Sequence, residues 1–190
     1  MTSLLELPIV RERMHRMSVA EYHRAFEAGA LSEKVELLRG LVVTKMPKSP
    51  LHEFVAQKLM LLLLALVPKA FQVRHEGPLT LRDSEPEPDL SIVRGRPEDW
   101  TEAHPSTAQL VIEVAVTSAA VDEEKAGIYA EAGIPEYWLV RAHEQTVDIY
   151  REPTPEGYRT KVTLSDRDTL SCACLPGVTF PIADIFPTKL

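Results

Sequence analysis

Cysteine is scarce in this chain: of 190 residues only Cys172 and Cys174 carry thiols. One residue apart, they make a poor disulfide pair, and a secreted disulfide scaffold would carry more. A cytoplasmic location with reduced thiols is expected. The two also lack partner ligands at zinc spacing, which favours buried thiols over a metal centre. Long apolar runs are missing as well. The longest, around Leu59–Val67, falls far short of the ~20 residues that cross a bilayer, so no membrane is expected as partner. Residues 1–17 contain no signal-peptide apolar run and place Glu6 and Glu12 among their charges; they read as an N-terminal extension. Aromatic residues make up only 6%, few for stacking on single-stranded RNA. Positive charge is in deficit too. Lys and Arg number 21 against 28 Asp and Glu, a net charge of −7. That argues against coating nucleic acid through bulk charge, although a local basic groove remains compatible with it. Lys45, Lys48, Arg74, Arg82, Arg94 and Arg96 are scattered and read as solubilising charge, a reading preferred to contact of Lys45 and Lys48, which flank the turn before the second helix, with a phosphate backbone.

What is present describes one domain over residues 1–190. Ser18 followed by Glu21 is a capping box, opening a helix that stops near Gly29. Val35–Thr44 is two β-rich runs around Arg39-Gly40, a hairpin with Gly40 at positive φ. A helix follows over about 51–67, ended by Pro68. Phe71–His75 alternates as a strand, Leu79–Leu81 is a short apolar run among strands, and Asp89–Val93 is a strand opened by prolines. Pro97–Thr107 is a polar loop. Gln109–Val116 reads as a central strand. Val121–Ala132 is a helix closed by Gly133, and Glu136–Val140 a further strand. Thr146–Tyr150 and Gly157–Leu164 form a meander, and short apolar pieces broken by prolines make up the tail. The order predicts an α/β (α+β) fold: a mixed central sheet flanked by helices, with a C-terminal β meander.

Charge placed inside apolar strands points to chemistry. Glu113 interrupts an otherwise apolar strand. Either it faces solvent on a half-covered sheet, or it is buried and paired with a cation. Asp89 opens an apolar strand after Pro86 and Pro88; alone it reads as a turn residue. Glu36 begins the hairpin and alone reads as exposed. Lys125 shares a helical face with Asp122 and Tyr129 and fits either a solvated stripe or a site. Together these residues have one chemistry in common. Converging carboxylates repel, raise each other's pKa and favour a hard cation. A bound Mg²⁺ polarises a phosphate oxygen and activates water, and a lysine offsets the developing charge.

The chain resembles the Uma-two family of endonucleases, within the PD-(D/E)XK restriction-endonuclease-like superfamily. The resemblance spans about residues 18–186. It is carried by Val35-Glu36-Leu37-Leu38-Arg39-Gly40, the proline-rich turn before His52, and Ser84-Glu85-Pro86-Glu87-Pro88-Asp89-Leu90. Its densest part is Ile112-Glu113-Val114, Ser118, Asp122, Lys125, Tyr129-Ala130 and Gly133-Ile134-Pro135-Glu136-Tyr137-Trp138. It implies that Asp89, Glu113 and Glu36 bind Mg²⁺ or Mn²⁺, with the carbonyl of Val114 completing the coordination. Lys125 would position the attacking water and stabilise the transition state. The motif's usual lysine, two residues after the second acid, is here Ala115, and the family's lysine is expected on the helix, at Lys125. Arg141 stands where relatives tend to carry aspartate. His52, Tyr129 and Asp122 are accessory candidates; for His52 a structural hydrogen bond at the helix start is favoured, and for Tyr129 packing. Tyr137 and Trp138 read as core.

Three functions follow as expectations: a metal-dependent DNA endonuclease, an inactive nuclease-fold module that binds nucleic acid or protein, and a nuclease for RNA or a small phosphodiester. Cutting both strands calls for two sites. A symmetric homodimer through the apolar helix around Met60–Leu66 would supply them.

Overall fold

The computed structural model describes residues 7–116 and 119–187; Ser118 lies outside the described residues. Its centre is β5 (Leu110–Ala115), buried at every position. A strand without an exposed face requires cover on both sides, which fixes the layering. β5 runs parallel to β6 (Glu136–Arg141) and antiparallel to β4 (Leu90–Arg94). With β3 (Phe71–His75), β7 (Thr146–Thr154) and β8 (Gly157–Ser165) they form a six-stranded mixed sheet in the order β3-β4-β5-β6-β7-β8.

Alternation along β5 assigns its side chains to two cores. Leu110, Ile112 and Val114 join Trp138, Val140 and the inner side of α3 (Pro50–Leu66), with the C-terminal tail closing that layer. Val111 and Ala115 join Tyr137, Leu139 and the inner side of α4 (Ala120–Glu131). The parallel β5–β6 pair requires a crossover, and α4 is that crossover helix. Its C-terminus ends at Gly133, whose φ of +71° and N–H bond to the Ala130 carbonyl close the last turn.

Ahead of the sheet, α1 (Pro8–Arg13) lies in the N-terminal extension and α2 (Val19–Glu27) carries the Ser18–Glu21 capping box. β1 (Val35–Leu38) and β2 (Leu41–Thr44) pair as an independent hairpin. Arg39 and Gly40 both have positive φ at its turn. Gly40 is required twice over, because a Cβ there would stand 2.6 Å from the Cβ of Arg16.

Four expectations need correction. Leu79 and Leu81 are buried, but Leu79–Leu81 is not a strand. The N–H groups of 79, 80 and 81 bond to the carbonyls of Pro86, Pro105 and Ser84, and flanking prolines leave no ladder to extend. The expected loop after β4 contains a 3₁₀ turn over Pro97–Trp100. The hairpin of the meander runs on through Thr154, past the Tyr150 boundary set by Glu152-Pro153. The tail holds a small ladder of β9 (Thr169–Ser171) with β10 (Thr179–Pro181), then a 3₁₀ turn over Ile182–Ile185.

The second half of α3 is apolar nearly all round, yet it buries only one side: Leu59 and Leu63 are fully buried whereas Leu61 and Leu64 are more than half exposed. Leu59→Ala is expected to cost about 2–5 kcal/mol in urea denaturation through the cavity it leaves. Leu61→Ala should stay within about 0.5 kcal/mol.

Candidate active site

Glu113 sits at the middle of β5 and points to the α4 side. Burial leaves its carboxylate dependent on partners, and α4 supplies them. The Lys125 ammonium donates to Glu113 Oε1 at 3.0 Å and the Tyr129 hydroxyl to the same oxygen at 2.9 Å. The 3.6-residue repeat puts both donors on one helical face. Glu36 arrives from β1. Its Oε1 is 3.0 Å from Lys125 Nζ, and its Oε2 accepts from the Glu87 N–H at 3.2 Å. Asp122, one turn before Lys125, lies 3.9 Å from the same ammonium. Tyr137 holds that first turn of α4, its hydroxyl donating to the Asp122 carbonyl at 2.9 Å.

Asp89 stands at the entrance to β4 beside this group. Its Oδ2 accepts from the Val114 N–H at 2.8 Å and bonds His52 Nε2 at 3.0 Å. Its Oδ1 accepts from Lys48 Nζ at 2.9 Å, and Lys48 also donates to Glu76 at 2.6 Å. Ser49 caps α3 through the His52 N–H, which sets the imidazole over Asp89. His52 Nδ1 is buried without a hydrogen-bond partner.

Glu36, Asp89, Glu113 and Lys125 are therefore all buried. The exposed alternatives for Glu113, Glu36 and Lys125 do not hold, and Asp89 is more than a turn residue. Lys48 belongs here too, instead of to scattered surface charge. Its position just before the helix that opens with His52 was the available signal. Ala115 occupies the usual lysine position on the same face, and Lys125 reaches Glu113 from the helix. Arg141 binds elsewhere, bridging Glu123 of α4 and Asp148 of β7.

The electrostatics follow from three carboxyl groups around one buried ammonium, with Asp89 beside them. Burial pushes the Glu113 carboxyl up to about 8, against the pull of Lys125 and with Asp122, Asp89 and Glu36 adding to the rise. Asp122 is raised by burial to about 6 in the same way. Lys125 is desolvated as well, yet Glu113, Glu36 and Asp122 outweigh this and hold its proton more tightly than usual. The shifts of Glu113 and Lys125 pull against each other: a protonated Glu113 would support the lysine less. The direction that survives is a charged Lys125 with a carboxyl set that keeps an extra proton. Asp89 goes the other way. Burial raises it, but His52 and Lys48 prevail and bring it down to about 2.

Oxygen donors of this kind suit a hard divalent cation, and the raised Glu113 and Asp122 carboxyls mark negative charge beyond what Lys125 neutralises. In the arrangement described, ammonium and imidazole groups occupy the carboxylate oxygens. The only cluster of three potential metal-ligating side chains with mutually close donor atoms, among the described residues, lies elsewhere, at Glu136, Cys172 and Cys174.

The mixed α+β fold has a counterpart among solved structures. A crystal structure described as that of a "putative nuclease" from Anabaena variabilis superposes with a TM-score of 0.73 at 17% identity, covering 90% of this chain and 97% of that one. The family follows from the sequence: the model of the Uma2 family, described as "Putative restriction endonuclease", matches residues 19–183, and the chain belongs to that family. No curated protein matches it in sequence. Among the described residues no helix is long and apolar enough to cross a membrane.

Glu113 gives a test of these electrostatics. Its raised pKa means that the folded chain keeps a proton which the unfolded chain releases near the ordinary value of 4.5. Its stabilising contribution is thus complete below that value and is lost as pH rises to about 8. The Asp89 contribution has the opposite sign, present above 3.8 and lost as pH falls towards about 2. In metal-free protein the denaturation midpoint should fall between about pH 6 and 8, and Glu113→Gln should flatten that fall. Parallel curves for the two proteins would refute the assignment.

Proposed function

We propose that the chain is a divalent-metal-dependent endonuclease that hydrolyses phosphodiester bonds of DNA. The observation carrying this reading is the buried pairing of Glu36 and Glu113 with Lys125, with Asp89 buried on the adjoining Val114 N–H and His52, in a chain of a restriction-endonuclease family. Asp89, Glu113 and Glu36, with the Val114 carbonyl, hold the ion, Mg²⁺ or Mn²⁺. The chemistry such an ion would supply there is polarisation of the phosphate and a water acidic enough to attack at neutral pH.

The remaining roles belong to the chain's own groups. Lys125 keeps its proton across the physiological range, so it acts as a fixed positive charge and hydrogen-bond donor and not as a base. It orients the attacking water and offsets charge that builds on the phosphoryl oxygens. Tyr129 fixes the Glu113 carboxylate through its hydroxyl. His52 and the Val114 N–H fix Asp89 Oδ2 from two directions, which makes both positioning groups. Lys48, exposed and bonded to Asp89, stands where an incoming phosphate would need a counter-charge. Cleavage of both strands takes two such sites, and the exposed Leu61 and Leu64 of α3 are the surface on which we place a symmetric contact between copies.

Nicking of supercoiled plasmid with Mg²⁺ or Mn²⁺ tests the assignment. Asp89→Asn, Glu113→Gln and Lys125→Met should each lower the rate by at least about 100-fold while circular dichroism stays unchanged. A parent protein inert with both metals on duplex DNA, and not stabilised by either, would favour a non-catalytic nuclease-fold module. An unchanged rate in Asp89→Asn would remove that residue from the site.

A further inference from the structure

The second cluster lies on the opposite face of the sheet, where β6 begins and the tail crosses it. Glu136 is almost fully buried and comes from β6; Cys172 and Cys174 come from the segment after β9. Their donor atoms converge. Cys172 Sγ is 3.4 Å from Glu136 Oε2, Cys174 Sγ is 3.6 Å from it, and the two sulfurs are 3.3 Å apart. Around a tetrahedral zinc ion, bond lengths of about 2.3 Å to sulfur and 2.0 Å to oxygen separate S from O by roughly 3.5 Å and S from S by roughly 3.8 Å. The sulfur–oxygen spacings match, and the sulfur–sulfur spacing is about half an ångström short. The carbonyl of Gln109 lies 2.9 Å from Cys174 Sγ, a further oxygen on the same side.

We propose that Glu136, Cys172 and Cys174 form a binding site for a zinc-class divalent cation that clips the C-terminal tail to the sheet. The carboxylate is already held as a metal ligand would be. Its Oε1 accepts from Trp138 Nε1 at 2.8 Å and from the Arg151 guanidinium at 2.8 Å. Its Oε2 accepts the Ala173 N–H at 2.8 Å and faces both thiols, which donate to it and whose protons a cation would replace. Outer partners of this type orient a ligating carboxylate. Charge closes as well. Binding releases two thiol protons, leaving two thiolates and one carboxylate against a dication and Arg151. Thiolate donors select zinc-class ions and reject Mg²⁺. Cys174 is part-exposed, which gives the ion a way in. The sequence conceals the site because Glu136 stands 36 residues before Cys172, outside any local ligand spacing.

The test uses the full chain, reduced and stripped of metal. Cobalt(II) should bind at one equivalent with a thiolate-to-cobalt charge-transfer band, and zinc should displace it. The band should persist in Asp89→Asn/Glu113→Gln, which separates this site from the nuclease site, and vanish in Cys172→Ser/Cys174→Ser. A second readout needs no variant. Zinc, but not Mg²⁺, should slow alkylation of the parent's thiols by at least about tenfold. Absence of the charge-transfer band together with zinc-independent alkylation overturns the proposal, as does a band that survives the double serine variant.

Discussion

One buried ammonium serving several buried carboxylates is the constraint on which this molecule is organised. Lys125 touches Glu113 and Glu36 at 3.0 Å, with Asp122 nearby. Removing such groups from water costs several kcal/mol each unless they are well paired. The pairing works only if three separate pieces of chain meet: the central strand, the crossover helix and the N-terminal hairpin. The apolar packing on both faces of β5 brings them together. A strand that alternates Ile112 and Val114 into one core presents Glu113 to the other, so the same periodicity that builds the sheet aims the acid.

Asp89 is held by different means. It has a backbone N–H from the neighbouring strand, an imidazole from α3 and an ammonium from the turn before it. Its carboxylate is therefore favoured as the anion, whereas Glu113 is pushed towards its neutral form. Two acids side by side with opposite proton affinities are a recurrent arrangement where proton transfer and cation binding occur together. Arg141, though prominent in the sequence, is structural and joins α4 to the meander through Glu123 and Asp148.

Much of this was legible in the sequence. The capping box, the hairpin with Gly40, the two long helices and the central strand follow from local spacing, which the structure keeps. Leu79–Leu81 was misleading because buried leucines in a loop carry the same signature as a short strand; only the destinations of their N–H groups distinguish them. Individually, Glu36 looked exposed and Lys125 fitted either account, since hydropathy does not reveal a partner far away in sequence. The family motif placed the acids together, whereas no motif pointed to Lys48. Nor did spacing reveal that Glu136 meets the two cysteines, because that meeting depends on where the tail crosses β6.

The hairpin that carries Glu36 is not part of the six-stranded sheet. It is a separate two-stranded unit, joined to the rest through the Leu37–Glu85 bridge, the Gly40–Asp83 hydrogen bond and the Arg39–Glu131 ion pair. Glu113 and Lys125 are only twelve residues apart, but the Glu36–Glu87 contact closes a loop of fifty-one. By loop-closure entropy the Glu36 contact carries the larger ordering cost of the two. A chain whose hairpin is undocked would keep the Glu113–Lys125 pair and lack Glu36, so undocking alone would open the charge cluster.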